Sequence, residues 1–96
     1  MSEISPASRV EAAPGVMVQE LPDGELVLLS METENYFGLD QIGGHMWNAL
    51  AEGRPIAAVA ASLSEHYDAT PEILVQDLVE LVEQLVSSGL VSVLDA

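Results

Sequence analysis

The chain has 96 residues, the length of one domain, and its sixteen Asp and Glu residues oppose two arginines and no lysine, for a net charge of −14. Such a surface repels phosphate backbones and anionic lipid headgroups, which argues against nucleic-acid binding and membrane binding. Because the sequence contains no cysteine, disulfides, thiolate zinc sites and cysteine nucleophiles are excluded.

The first fourteen residues are predicted to form a flexible N-terminal tail. Residues 1–14 (MSEISPASRVEAAP) are small, polar and interrupted by proline, and such a segment buries too little apolar surface to become ordered. We therefore expect one folded domain over residues 15–96. The sequence shows neither a signal peptide nor an apolar run long enough to span a membrane, which predicts a cytoplasmic protein.

Three short strands are predicted after this tail. Val16–Gln19 is followed by the turn Leu21–Gly24, in which a proline and an Asp-Gly pair favour chain reversal. Leu26–Ser30 and Asn35–Leu39 form the second and third strands. Because both connections are short, the three strands are predicted to form an antiparallel meander.

Three helices are predicted to complete an α+β fold. Asp40 can cap the first helix, and Thr70 caps the third helix just before a proline. A short extended piece, Leu90–Leu94, follows the last helix and is expected to pair with the sheet or pack on it. Helical spacing of the apolar residues places the three helices at Gln41–Ala51, Ile56–His66 and Thr70–Ser88.

The third predicted helix carries more apolar surface than packing on a single core requires. A helix on one core needs an apolar face of roughly 100°, whereas two adjacent stripes cover more. Either one stripe packs on the other helices and the second on the sheet, or part of the second lines a groove for an apolar peptide. The two stripes consist of Leu74, Leu78, Leu81 and Leu85, and of Val75, Val79, Val82 and Val86.

The third strand is an open edge of the meander unless the C-terminal piece pairs with it. Such an edge offers unpaired N–H and C=O groups to which another chain can add as a strand. Glu32 and Glu34 protect the start of this edge, while Tyr36 and Phe37 continue it unprotected. An open edge beside a helix with excess apolar surface outlines a peptide groove.

Catalytic and metal-binding patterns are weak. His45 and His66, the only histidines, share no spacing with a third ligand. The serines lack a G-x-S-x-G setting, and Gly43-Gly44 lacks the rest of a phosphate-binding fingerprint. We therefore expect a protein that is not an enzyme and that requires no metal or cofactor.

One ordered set of residues resembles a known family. The set consists of Tyr36–Asp40, Ile42–Gly44, Trp47, Leu50, Glu52-Gly53, Asp77-Leu78, Leu81, Leu85 and Gly89-Leu90. Over about residues 16–94 this order resembles the PqqD-like family, the stand-alone recognition elements for RiPP precursor peptides. The resemblance implies three strands followed by a winged-helix-like bundle of three helices.

The resemblance also implies a function and its partners. The domain binds the leader segment of a ribosomally made precursor peptide, which adds as a strand to the third strand and lies against the third helix. It then presents the core peptide to a modifying enzyme, either the leader peptidase and cyclase of lasso-peptide assembly or a radical SAM maturase.

The positions of the binding residues are likewise implied by the resemblance. Which helix residues face the groove stays open, because sequence does not determine the rotation of the helix. Asp77 either holds a basic group or backbone N–H of the leader or is simply a solvated helix position. The binding strand comprises Thr33, Glu34, Asn35, Tyr36 and Phe37. The helix face comprises Leu74, Asp77, Leu78, Leu81, Gln84 and Leu85.

Two other functions remain as alternatives. A winged-helix nucleic-acid binder has the same element order, but two basic residues are too few for it. A self-associating module would pair the third helix with its own copy, and we expect a monomer or a weak dimer. The acidity of the chain either maintains solubility or favours a basic partner segment.

Overall fold

The computed structural model describes residues 4–94, which form two antiparallel sheets and three helices. The predicted α+β class is confirmed, and the described helices are all too short or too polar to cross a lipid bilayer. The elements in chain order are β1 (Arg9–Ala12), β2 (Val16–Glu20), β3 (Leu26–Ser30), β4 (Tyr36–Leu39), α1 (Gln41–Leu50), α2 (Ile56–Leu63), α3 (Pro71–Ser87) and β5 (Val91–Leu94).

The predicted meander is the larger sheet, with strand order β2-β3-β4. Val18, Leu28 and Phe37 lie opposite one another across its three strands. The turn between β2 and β3 closes through a hydrogen bond of 3.0 Å from the Gly24 N–H to the Leu21 carbonyl. Gly24 has a φ of +90°, a conformation that glycine adopts without steric cost.

The two predicted helix caps are present. Asp40 accepts a hydrogen bond of 2.7 Å from the Gly43 N–H, and Thr70 accepts one of 3.3 Å from the Ile73 N–H. Each bond satisfies a donor that the first turn of a helix leaves free. The end of α2 differs from the prediction: the helix stops at Leu63 rather than His66, and the next residues form turns back to the Leu63 carbonyl.

The predicted flexible tail is wrong for residues 9–12, which form β1. This strand pairs antiparallel with β5, so that Val10 lies opposite Val93 and is buried in the core. The C-terminal piece therefore pairs with β1 and joins no strand of the meander. The tail prediction failed because the ordering of residues 9–12 depends on pairing with β5, some eighty positions away in the chain, which local composition cannot reveal. Residues 1–3 of the predicted tail lie outside the described residues.

The segment before β1 also caps helix α2, which has no side-chain cap of its own. The Ile56 N–H donates to the Ser8 carbonyl at 3.0 Å, and the Ala57 N–H donates to the Pro6 carbonyl at 2.8 Å. These bonds satisfy two of the free donors at the start of α2, so the N-terminal segment contributes to the folded domain.

A single hydrophobic core lies between the three helices and the two sheets. The buried side chains of this core come from every helix and from both sheets. The N-terminal strand β1 therefore packs against the same core as the rest of the fold. The largest fully buried side chains are Leu28, Leu50, Ile56, Leu78, Leu85 and Leu90.

The packing of β1 predicts an effect on stability. Val10→Ala removes two buried methyl groups and is expected to lower the free energy of unfolding by about 2 kcal/mol. Glu11→Ala, at the exposed neighbouring position, should change it by less than about 0.5 kcal/mol. Urea denaturation measures both values, and equal, negligible effects would mean that β1 is not packed in solution.

Candidate peptide-binding cleft

Strand β4 has one free edge. It pairs with β3 on one side, and no strand within residues 4–94 pairs with its other side. The Ser30 N–H donates to the Asn35 carbonyl at 2.8 Å, which sets the alternation of the antiparallel ladder. By that alternation the N–H and C=O groups of Tyr36 and Gly38 point to the free edge, whereas those of Phe37 bond to Leu28.

An open cleft of about 420 Å³ lies beside this edge, between β4 and α3. Phe37 lines it from the strand and lies half-buried against the core. Phe37 lies between Tyr36 and Gly38, so the free edge runs beside this cavity, and the other wall of the cavity is polar. The residues that line this wall are Glu80, Glu83, Gln84, Ser87 and Ser88.

The polar wall is one face of α3. Glu80, Glu83, Gln84 and Ser87 follow the spacing 0, 3, 4 and 7, which places them side by side along a helix. The opposite face of α3 packs into the core, and its buried residues are Leu74, Leu78, Val82 and Leu85. This packing sets the rotation of the helix that the sequence left open.

The rotation places the predicted helix residues on two different faces. Leu74, Leu78 and Leu85 lie in the core, so they are corrected from groove residues to packing residues. Leu81 is half-buried and packs against the same core. Gln84 lines the cleft. The reason is that the leucine stripe, together with Val82, is the part of α3 that the rest of the fold covers.

Asp77 is exposed and lies three residues before Glu80, so it extends the polar face of α3 by one turn toward the N-terminus. It does not line the cleft itself. Both possibilities stated for Asp77 therefore remain: contact with a peptide that extends beyond the cleft, or a solvated position.

Thr33, Glu34 and Asn35 lie in the connection before β4 rather than in the strand. Glu34 has a φ of 62°, the left-handed conformation of a tight turn. The side-chain amide of Asn35 donates to the Ser88 carbonyl at 3.3 Å, and the Thr33 hydroxyl accepts from the Asn35 N–H at 3.3 Å. The bond to Ser88 ties the start of β4 to the end of α3 and so links the two walls of the cleft, whereas the bond to Thr33 is internal to the connection.

The Tyr36 side chain lies on the sheet face opposite the cleft and is 76% exposed. It lies opposite Leu29, which lies opposite Met17, and all three form an exposed apolar row. What Tyr36 offers to the free edge is its backbone.

Sequence reasoning missed Glu80, Glu83, Ser87 and Ser88. The spacing that aligns Glu80, Glu83 and Ser87 with Gln84 is visible in the sequence, but the direction in which this face points depends on tertiary packing.

Outside the cleft, His45 makes a defined side-chain contact. Within residues 4–94, no three His, Asp or Glu side chains lie close enough together to hold a metal ion. The His45 Nδ1 atom is hydrogen-bonded to the Tyr67 hydroxyl, and the two rings are tilted by 43° with their centroids 5.8 Å apart. This pair is a local contact between α1 and the turn after α2.

Comparison with known proteins gives a family and two similar structures. The family described as coenzyme PQQ synthesis protein D (PqqD) matches residues 25–91, more than two thirds of the chain. The structure of TbiB1 in complex with the TbiA(beta) leader peptide is 27% identical, with a TM-score of 0.78 over 85% of this chain and 94% of that one. No curated protein sequence matches the chain.

A second similar structure is lasso peptide synthetase B1 complexed with the leader peptide. It has a TM-score of 0.79 and 24% identity, and the match covers 88% of this chain and 98% of that chain. At this identity the likeness establishes the fold alone. Both likenesses span nearly the whole neighbouring chain.

The free edge predicts a pattern of amide hydrogen exchange. The amides of Tyr36 and Gly38 should exchange roughly 100-fold faster than those of Leu28 and Phe37, because a laddered amide exchanges only when the strand opens. NMR-detected exchange in dilute protein measures all four rates. Equal protection of Tyr36 and Phe37 would show that the edge is covered in the free protein.

Proposed function

The chain belongs to the PqqD family, and we propose that it is a non-catalytic module that captures the leader segment of a ribosomally synthesised precursor peptide by strand addition to β4. The observation that carries this function is the free edge of β4 directly beside the cleft formed with α3. The complex of the similar TbiB1 with a leader peptide supports the same assignment.

The backbone of β4 supplies affinity that is independent of peptide sequence. Tyr36 and Gly38 together offer two N–H and two C=O groups to an added strand. Each ladder hydrogen bond contributes roughly 0.5–1.5 kcal/mol net, because it replaces bonds to water. The edge therefore binds an extended segment of any sequence, and side-chain contacts determine which peptide is preferred.

The side chains of the added strand face the cleft at every second position. Such positions are about 7 Å apart along a strand, while the α3 face from Glu80 to Ser87 spans about 10 Å. Two inward side chains therefore fit along the helix wall, and each apolar one buried contributes roughly 1.5–3 kcal/mol. After the cost of ordering the peptide, micromolar to nanomolar affinity results.

Binding of the leader promotes modification of the core peptide by bringing it close to the modifying enzyme. A core peptide tethered by its leader meets the modifying enzyme at an effective concentration in the millimolar range. The proposed second partner is a RiPP-modifying enzyme: a lasso-peptide leader peptidase and cyclase, or a radical SAM maturase. The module itself provides binding and orientation, and the partner provides the chemistry.

Self-association is a second candidate function. It is favoured by the exposed row of Met17, Leu29 and Tyr36, which two copies can cover by packing their sheets face to face. Sedimentation at increasing concentration distinguishes it from peptide capture. Nucleic-acid binding has no comparable support in a chain with a net charge of −14.

Strand addition to β4 predicts the effect of two matched proline variants. Tyr36→Pro removes an N–H that faces the free edge, so it should abolish binding of labelled leader peptides from small reading frames beside the gene. Val18→Pro removes an N–H that faces the opposite edge of the same sheet, so it should bind as the wild type does. Proline is tolerated at such edge positions, so both variants are expected to fold.

Fluorescence anisotropy measures the binding, and circular dichroism confirms that each variant is folded. Tyr36→Ala, which keeps the N–H, should retain most of the affinity because its side chain lies away from the cleft. A folded Tyr36→Pro variant with wild-type affinity would contradict capture at β4.

A further inference from the structure

The helix wall of the cleft carries two uncompensated negative charges. Glu80 and Glu83 are both exposed, line the cleft and lie one helical turn apart. Within residues 4–94, neither carboxylate has a hydrogen-bond or ion-pair partner. Two like charges one helical turn apart repel each other, so each carboxylate destabilises the charged form of the other.

Within residues 4–94, no basic side chain is in place to neutralise these carboxylates. It contains two basic residues besides its histidines, Arg9 and Arg54. Arg9 lies in β1, opposite Leu94, and Arg54 donates to the Ala58 carbonyl at 3.4 Å. Neither lines the cleft, so the charge of the helix wall is available to a ligand.

The charges are confined to one part of the cleft. Ser87 and Ser88 line the end toward the C-terminus of α3, and Phe37 lines the strand wall. An inward peptide side chain near Glu80 and Glu83 therefore meets carboxylates, and one placed two residues away, toward the C-terminal end of α3, meets the serine hydroxyls. An apolar side chain at the first position would desolvate both carboxylates without compensation, and an acidic one would be repelled.

We infer that the leader segment bound here carries a lysine or arginine at an inward position facing Glu80 and Glu83, with an uncharged side chain at the next inward position. This inference rests on the proposed function and specifies its substrate class: a basic, extended peptide segment. The two glutamates are specificity-determining residues, because they favour a cation and reject an acidic peptide at the same site. The resulting charge complementarity also accelerates association at low salt.

The test uses a displayed library of random twelve-residue peptides selected separately on three baits. The baits are the wild type, the cleft variant Glu80→Gln/Glu83→Gln, and the control variant Glu52→Gln/Glu65→Gln. Glu52 and Glu65 are exposed and lie outside the cleft. Each double variant removes two negative charges and changes the net charge from −14 to −12. The two variants therefore lose the same amount of charge at different places on the surface.

Peptides selected on the wild type and on the control are expected to carry Lys or Arg at one position of an alternating pattern. Selection on the cleft variant should lose this enrichment. For one selected peptide, replacing the basic residue with Gln should weaken binding to the wild type roughly 1.5- to 5-fold at low salt, the range for exposed ion pairs. The same replacement should have little effect on the cleft variant, which completes a double-mutant cycle.

Three outcomes overturn the inference in distinguishable ways. Selected peptides that lose binding in Tyr36→Pro but show no basic preference would refute the charge specificity and leave strand capture intact. A basic preference lost equally in both double variants would assign it to the net charge of the chain rather than to the cleft. Failure to select any peptide that depends on the β4 edge would refute the proposed function together with the inference.

Discussion

The packing of one face of α3 into the core determines what the cleft contains. Leu74, Leu78, Val82 and Leu85 are buried, and a helix that buries one face must present the opposite one. The opposite face consists of glutamates, a glutamine and a serine, so the same contacts that stabilise the domain orient carboxylates toward β4. Turning α3 to expose its leucines would remove them from the core at a cost of roughly 1.5–3 kcal/mol each.

β4 keeps a free edge because the last strand, β5, pairs with β1 and not with β4. β5 pairs with β1, and their small sheet contributes Val10 and Val91 to the core. Because β5 is satisfied there, it does not add to the meander, and β4 keeps unpaired groups. An open strand edge can pair with other molecules and lead to aggregation. The charges of Glu32 and Glu34 before β4 and the net charge of −14 oppose this association.

Backbone and side chains have separate tasks in the proposed recognition. The edge groups of Tyr36 and Gly38 bind any extended segment, whereas Glu80 and Glu83 distinguish basic from acidic segments. The Asn35–Ser88 hydrogen bond joins the start of β4 to the end of α3 and so restricts how far the two walls can separate. Such preorganisation lowers the entropic cost of binding.

The sequence by itself determined the features whose signals are local. The turn at Gly24, the caps Asp40 and Thr70, and the apolar spacing of the helices predicted the meander and the three-helix order. The family resemblance began at Tyr36–Asp40, where the third strand leads into the first helix. Of the residues named as peptide-binding, Phe37 and Gln84 line the cleft, and their contact with a peptide stays a prediction. Only the tertiary structure decided the pairing of β1 with β5 and the rotation of α3, which moved three leucines into the core and brought Glu80 and Glu83 to the cleft. Both depend on burial against residues far away in the chain, and a local pattern contains no information about which partner covers which face.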